Sequence, residues 1–206
     1  MNTIVIEKNE KAKRFAVDIL SKGGIIAFKA DTIYGLCCDA RNDEAVERIY
    51  QIKQRDDDRP LLSLVRKSFP IEKYTTLNRS RINKLKEIWP APLTVILEKN
   101  EEEYFSSKLI KDGCFSIRIP NDKFALGILK KFGGPITSTS ANISGHPVCS
   151  TVKELESTFG GKIDLIIDCG EVTKESLPST LIKVDKKTFE VVRPGVIKKE
   201  TISSIL

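Results

Sequence analysis

Apolar residues along the chain form two alternating patterns, short runs typical of strands and stripes typical of helices. The runs predict strands at 3–7, 25–28, 61–65, 93–97, 114–119, 164–168, 179–184 and 188–192. Apolar residues spaced three and four apart predict helices, which begin after Asn9, at Asp43, after Asn78, at Phe124 and at Thr151.

The boundaries of these helices carry recognisable signals. The first helix has apolar positions at Ala12, Phe15, Ala16, Ile19 and Leu20 and is expected to stop at Gly23-Gly24. The third helix must end by Trp89, because Pro90 follows. Thr151 and Glu154 have the spacing of a capping box, which predicts the start of the last helix.

Strands interleaved with helices predict a single α/β domain over residues 1–206 with one central sheet. The sheet is expected to be mixed, since some consecutive strands lack a helix between them. Two polar segments, KADTIYGLCCDA (29–40) and TSTSANISG (137–145), are interpreted as loops.

Composition narrows the class of protein. Hydrophobic residues make up 40% and charged residues 30% of the chain, as in ordinary globular proteins. No apolar run approaches 18 residues, and the N-terminus turns charged after six residues, so we expect a cytoplasmic protein without a membrane span. The net charge of +6 suits an anionic partner such as a nucleotide or RNA, or reflects only a lysine-rich surface.

Several common kinds of active site find no support. The five cysteines form no C-x-x-C pair and the chain has one histidine, His146, so neither a structural zinc site nor a histidine-based triad is expected. The segment FGGK (159–162) lacks the spacing of a phosphate-binding Walker loop. Chemistry built on cations and hydroxyls remains, and it points to the positioning of a nucleotide.

The first candidate segment is KADTIYGL (29–36), directly after a predicted strand. Thr32 and Tyr34 supply hydroxyls there, and Gly35 permits close approach of a ligand to the main chain. A tight turn with a hydrogen-bonded threonine is the alternative.

The second candidate is the pair Lys53 and Arg55. A break of the preceding helix before Pro60 would aim both cations at one ligand, whereas the alternative is that they neutralise the negative end of that helix.

The third candidate is Arg118 in SIRIP (116–120). Period-two alternation places its side chain on the opposite face from Ile117 and Ile119, where a guanidinium can bind a carboxylate or phosphate through two hydrogen bonds. A solvent-facing arginine is the alternative.

The fourth candidate combines TSTSANISG with LPSTLIKV (177–184) and VVRPG (191–195). Hydroxyls and main-chain N–H groups in a glycine-flanked loop can hold phosphates without a catalytic base.

Taken together, these segments resemble the YrdC family of threonylcarbamoyl-AMP synthases over nearly the whole chain. The shared marks, in their order, are DTIYGL, the K-x-R pair, WPAPLTVIL, IRIP, STSANISG, STLI and RPG. The resemblance implies an open twisted mixed sheet flanked by helices, with a basic concave cavity, in the short form that ends soon after RPG.

The resemblance also implies a function, that of a nucleotidyltransferase. Members of this family make threonylcarbamoyl-AMP and pyrophosphate from L-threonine, bicarbonate and ATP with Mg²⁺. The product is used to form threonylcarbamoyladenosine at position 37 of tRNA. Partners would be a downstream threonylcarbamoyl transferase machinery and tRNA. L-threonine would contact Thr32, Arg118 and Thr180. ATP would contact Lys53, Arg55, Arg59, Ser138, Ser140, Asn142 and Arg193. Of these, Lys53 and Arg55 would be catalytic. Asn142 would contact an ATP phosphate or its Mg²⁺.

Three departures from the family pattern open other interpretations. Lys29-Ala30 replaces the usual Pro-Thr, Cys37-Cys38 replaces Gly-Ala, and Asp56 and Arg59 stand where Pro and Asn usually follow the K-x-R pair. Lys29 and Arg59 either substitute as phosphate contacts or mark an altered substrate. The rival functions are a non-catalytic RNA-binding module resembling the YciO branch, and an adenylating enzyme that acts on another amine.

Overall fold

The computed structural model describes residues 2–55, 60–173 and 176–206. Its strands are β1 (Ile4–Glu7), β2 (Ile26–Lys29), β3 (Tyr34–Cys37), β4 (Leu62–Leu64), β5 (Leu93–Glu98), β6 (Cys114–Arg118), β7 (Ile136–Ser140), β8 (Leu165–Asp168), β9 (Thr180–Val184) and β10 (Phe189–Arg193). Its α-helices are α1 (Glu10–Ser21), α2 (Asp43–Lys53), α3 (Arg79–Ile88), α4 (Lys123–Phe132), α5 (Val152–Phe159) and α6 (Lys199–Ser203). Short 3₁₀ helices span Ile71–Lys73 and Ser107–Leu109.

The strands form one open sheet in the order β1-β8-β2-β3-β7-β4-β6-β5-β9-β10. Four neighbouring pairs are parallel, namely β1/β8, β2/β8, β4/β6 and β5/β9, and the other five are antiparallel. The predicted mixed α/β sheet with flanking helices is therefore confirmed. In the described parts of the chain, no helix is long and apolar enough to cross a lipid bilayer.

Alternating residues of the sheet enter different parts of the hydrophobic core. Ile26 and Phe28 of β2 pack with α1 and α4 on one face, whereas Ala27 packs with α2 and α5 on the other. This two-sided burial follows from the period of two along a strand. A further core cluster unites α3 and α6 with β5, β6 and β9 at the other end of the sheet.

The helix starts predicted from capping residues agree with the structure. The side chains of Asn9, Asn78 and Thr151 each accept a hydrogen bond from the main-chain N–H three residues later. The Glu154 carboxylate accepts hydrogen bonds from the N–H and the hydroxyl of Ser150, one residue before the capping Thr151.

Two segments predicted as loops contain strands. Residues 34–37 form β3, which pairs antiparallel with β2 and β7 and is fully buried. The first half of TSTSANISG belongs to β7, where Thr137 is buried and accepts a hydrogen bond from the N–H of Cys38. The loop interpretation was wrong for these stretches, because hydroxyl side chains within a sheet can bond to neighbouring main chains and so tolerate burial.

Candidate functional site

A cavity of about 1060 Å³ lies against the centre of the sheet. Strands β3 to β7, β9 and β10 contribute to its wall, together with the loop that follows β7. The predicted site residues on this wall are Thr32, Arg55, Arg118, Ser138, Ser140, Asn142 and Arg193. The structure thus brings together segments that are up to 161 residues apart in the sequence, from Thr32 to Arg193.

Arg118 is the most deeply buried charged group on the cavity wall. It lies on β6 and is 4% exposed, which rules out the solvent-facing alternative. A guanidinium nitrogen of Arg118 is 3.4 Å from the Asp31 carboxylate, and both Arg118 Nε and Asp31 Oδ1 are buried without a hydrogen-bond partner. Burial lowers the pKa of Arg118, and the Asp31 charge opposes that shift. Arg118 lines the cavity, and its guanidinium has a donor that no group in the described part of the chain uses.

Hydroxyl groups line the cavity around Arg118. Thr32 and Ser116 lie on the wall, and the hydroxyls of Thr94 and Ser179 are 2.8 Å apart. The sequence analysis did not single out Thr94, Ser116 or Ser179 as site residues. The signal available in the sequence was that each of these polar residues lies in or next to a largely apolar strand. The pairing of the strands then brings the three residues close together.

The loop after β7 is held by its own polar side chains. Asn142 Oδ1 accepts from the Ser140 hydroxyl (2.6 Å), and Asn142 Nδ2 donates to the main-chain oxygens of Ile143 (2.9 Å) and His146 (2.8 Å). The Asn142 amide is thus engaged within the loop on both its oxygen and its nitrogen. Its expected contact with ATP or Mg²⁺ stays a prediction, and such a contact would have to replace or share these bonds.

The side chains of Lys53 and Arg55 lie in different surroundings. Lys53 is 1% exposed, does not line the cavity, and donates to Ser140 O (2.5 Å), Asn142 O (2.7 Å) and Asn142 Oδ1 (3.2 Å). Helix α2 ends at Lys53, Gln54 adopts a left-handed conformation (φ 49°), and Arg55 then reaches the cavity wall. The helix break was predicted correctly. In this structure the loop oxygens bind the Lys53 ammonium and only Arg55 lines the cavity, so a contact of both cations with one ligand stays a prediction.

Burial also affects the ionisation of Lys53. Desolvation and the nearby charge of Arg55 lower the pKa of Lys53 to about 7, although the three surrounding oxygens favour the charged form. Ser144 N–H donates to the main-chain oxygen of Lys53 (2.8 Å), so both parts of this residue bind the loop.

Arg193 and Thr180 also separate. Arg193 lines the cavity, and its guanidinium donates to the main-chain oxygen of Ser179 (2.9 Å). Thr180 is 1% exposed and does not line the cavity, and its hydroxyl bonds to the main chain of Ile197. Arg59 lies outside the described residues.

The departures at residues 29, 30, 37 and 38 lie away from the cavity wall, whereas Asp56 and Arg59 lie outside the described residues. Lys29 Nζ donates to the main-chain oxygen of Glu171 (3.1 Å), and Ala30 packs against the core. Cys37 and Cys38 are buried, and burial raises the pKa of both thiols. Among the described departures, none changes a residue that lines the cavity.

The charged groups on the described wall are three arginines and Glu154, whose carboxylate already accepts bonds from Ser150. The basic character of the cavity stays a prediction. Within the described residues, no three His, Cys, Asp or Glu side chains cluster as metal ligands.

Comparison with known sequences identifies relatives over most of the chain. The family model Sua5_yciO_yrdC, described as "Telomere recombination", matches residues 18–195. A relative from Methanocaldococcus jannaschii is 35% identical over 199 residues, which cover 94% of this chain and 92% of that protein. The threonylcarbamoyl-AMP synthase of Pyrococcus abyssi is 32% identical over 99% of this chain, which spans 61% of that protein.

Solved structures with the same fold include two informative ones. Pyrococcus abyssi Sua5 complexed with L-threonine has a TM-score of 0.88 and 31% identity, over 99% of this chain and 61% of that one. Escherichia coli YciO has a TM-score of 0.84 and 27% identity, over 100% of both chains.

Proposed function

The chain belongs to the Sua5–YciO–YrdC family, and from this membership we propose that it is a threonylcarbamoyl-AMP synthase. Such an enzyme is a nucleotidyltransferase that converts L-threonine, bicarbonate and ATP into threonylcarbamoyl-AMP, pyrophosphate and water. The product would supply a threonylcarbamoyl transferase machinery that modifies tRNA at position 37.

The observation that carries the proposal is the deeply buried Arg118, which shares one cavity with a serine-rich loop and two further arginines. Its Nε is buried and unpaired, which suits the planar carboxylate of an amino acid. Thr32 and Thr94 lie on the same wall, and their hydroxyls can form hydrogen bonds with the amine and the hydroxyl of threonine. The relative from Pyrococcus abyssi is a protein whose structure holds L-threonine.

The nucleotide would lie along the loop after β7. Arg55 and Arg193 supply positive charge at the cavity wall, and Ser138 and Ser140 supply hydroxyls beside them. Arginines, hydroxyls and main-chain N–H groups are together well suited to binding phosphates. In this arrangement Lys53 binds the loop oxygens of Ser140 and Asn142 and does not need to contact ATP.

The chemistry requires alignment more than a nucleophilic side chain. The threonine amine combines with bicarbonate to give a carbamate and water, and a carbamate oxygen then attacks the α-phosphorus as the bond to pyrophosphate breaks. Arg118 would hold the amino acid on one side, while Arg55 and Arg193 would neutralise charge on the phosphates.

A magnesium ion bound to ATP would neutralise further phosphate charge. The donors on the cavity wall fit such an ion, because hydroxyl oxygens and one carboxylate, Glu154, leave most of its ligands to phosphate and water. Ser138 and Ser140 would be the nearest protein hydroxyls to the phosphates.

A second candidate function is an RNA-binding module without catalysis. The structural match to YciO supports this alternative, because the match extends over 100% of both chains. RNA binding would not require a buried arginine with an unused donor in a cavity of this size, because RNA is contacted mainly through exposed cations and aromatic rings.

The test is a pyrophosphate-release assay with ATP, Mg²⁺, bicarbonate and single amino acids. We expect release to require both L-threonine and bicarbonate. Equal turnover with serine, glycine and threonine would remove the threonine assignment, release without any amino acid would indicate an ATPase, and tRNA binding without any release would favour the RNA module.

A further inference from the structure

The segment that begins at the last residue of β10, residues 193–197, lies against the beginning of β9, and we call it the strap. Its main attachment is the hydroxyl of Thr180, which donates to Ile197 O (2.7 Å) and accepts from Ile197 N–H (2.9 Å). Thr180 is 1% exposed and is absent from the cavity wall. Its hydroxyl is therefore occupied by the strap both as donor and as acceptor.

The strap approaches β9 too closely for an ordinary side chain. A Cβ atom on Gly195 would lie 2.4 Å from Pro178 O and 2.5 Å from Thr180 N. The Val196 N–H also donates to Pro178 O (3.2 Å). Glycine at this position allows two main-chain segments to pack directly against each other.

Arg193 stands at the start of the strap, where β10 ends. Its guanidinium lines the cavity and donates to Ser179 O (2.9 Å), one residue before Thr180. Arg193 is paired with Leu181 in the β9/β10 ladder, and two further attachments lie beside its guanidinium, its own bond to Ser179 and the bond pair between Thr180 and Ile197.

We propose that Thr180 is a positioning residue, which holds the strap through Ile197 and so sets the place of the Arg193 guanidinium, and which does not itself bind the amino acid. The inference rests on the proposed function, because it takes Arg193 as a contact of the ATP phosphates. It replaces the role as a threonine contact that the family resemblance implies for Thr180.

The experiment measures pyrophosphate release by the full chain while ATP and threonine are varied separately. Thr180→Val keeps the shape and removes the hydroxyl; we expect the KM for ATP to rise about tenfold, the size of effect of a lost hydrogen-bonded support. The KM for threonine should stay within about twofold, since the amino acid pocket keeps its residues. Thr180→Ser should restore the wild-type KM for ATP, because it retains the hydroxyl.

The matched control is Thr188→Val, which removes an exposed hydroxyl bonded to Asp185 (2.7 Å) on the same hairpin and should change neither KM. A rise in the KM for threonine with an unchanged KM for ATP in Thr180→Val would overturn the inference. If Thr180→Val does not fold, Gly195→Ala moves the strap while leaving Thr180 intact, and the same ATP-selective loss is expected.

A second measurement tests whether the effect passes through Arg193. On an Arg193→Gln background, Thr180→Val should add no further loss, because the guanidinium that it places is already gone. An equal loss in both backgrounds, or an unchanged KM for ATP in Arg193→Gln, would overturn the inference. If the wild type releases no threonine-dependent pyrophosphate, the proposed function fails. The inference is then decided by ATP titration of the same variants, with weaker binding expected for Thr180→Val and for Arg193→Gln.

Discussion

The ammonium of Lys53 lies 3.2 Å from the side-chain oxygen of Asn142, at the centre of a network that joins the end of α2 to the loop after β7. The same ammonium donates to the main-chain oxygens of Ser140 and Asn142. Because Arg55 follows directly on the cavity wall, this network fixes the Arg55 turn and the serine-rich loop relative to each other.

We predict that Lys53→Met lowers the free energy of unfolding by about 1–3 kcal/mol, because Ser140 O, Asn142 O and Asn142 Oδ1 each lose the hydrogen bond from the ammonium. Thermal or urea unfolding measures this. Lys22→Met is the matched control: Lys22 forms an exposed ion pair with Asp18, and its loss should cost less than about 0.5 kcal/mol. Equal stabilities of the two variants would show that Lys53 has no structural role.

A pH prediction follows from the same lysine. Burial lowers the pKa of Lys53 to about 7, from the ordinary lysine value of 10.5 that applies in the unfolded chain, so between these values the unfolded chain binds one proton more than the folded one at this site. Stability contributed by this group therefore rises with pH over that window. We expect the stability difference between wild type and Lys53→Met to increase from pH 7 to pH 10. A constant difference would show that the ammonium stays charged throughout.

We predict that Asn142→Leu impairs both turnover and stability. The amide makes bonds to Ser140, Lys53, Ile143 and His146, and leucine can replace none of them. Since each unmade bond to a buried partner costs about 1–3 kcal/mol, the midpoint of thermal unfolding should fall by several degrees. If the variant unfolds at the wild-type temperature but releases no pyrophosphate, Asn142 instead contacts ATP or Mg²⁺ directly.

Thiol reactivity provides a prediction that is independent of function. Burial raises the pKa of Cys38 to about 12 and that of Cys37 as well, so few thiolates form at pH 8. We expect native Cys37 and Cys38 to react with a thiol reagent slower than in the unfolded chain by on the order of a thousandfold or more. Mass spectrometry can locate the label, with the half-exposed Cys114 as the internal reference. Rapid native labelling of Cys37 or Cys38 would contradict their burial.

Local signals in the sequence were enough to predict much of the fold. The starts of α1, α3 and α5 depend on a capping residue and its near neighbours, so Asn9, Asn78 and Thr151 could be recognised without tertiary information. The location of Arg118 on a strand face could also be predicted, because alternation along SIRIP is local.

Other features depend on partners far away in the sequence. Lys53 was predicted as an ATP contact, but the oxygens that surround it come from residues 87 and 89 positions later. Strand β3 was interpreted as a loop; it pairs with β2 nearby in the sequence, but its second partner, β7, lies about 100 residues away. Long-range pairing of this kind has no local signal, and it decides where each polar group on the sheet finally points.

The last prediction separates the binding role of Arg118 from its structural role. Arg118→Met should raise the KM for threonine by about 10- to 100-fold, as expected for the loss of a charged hydrogen bond, while the KM for ATP changes less than about threefold. It also leaves the buried Asp31 carboxylate without its cation and should reduce stability.

The double variant Arg118→Met/Asp31→Asn removes both buried charges, so stability should recover relative to Arg118→Met alone. Threonine affinity should not recover, because the donor for the carboxylate is still absent. Steady-state kinetics with varied threonine, together with thermal unfolding of both variants, provide the comparison. If threonine affinity returns together with stability, Arg118 acts only through the fold, and the carboxylate of the amino acid must bind elsewhere in the cavity.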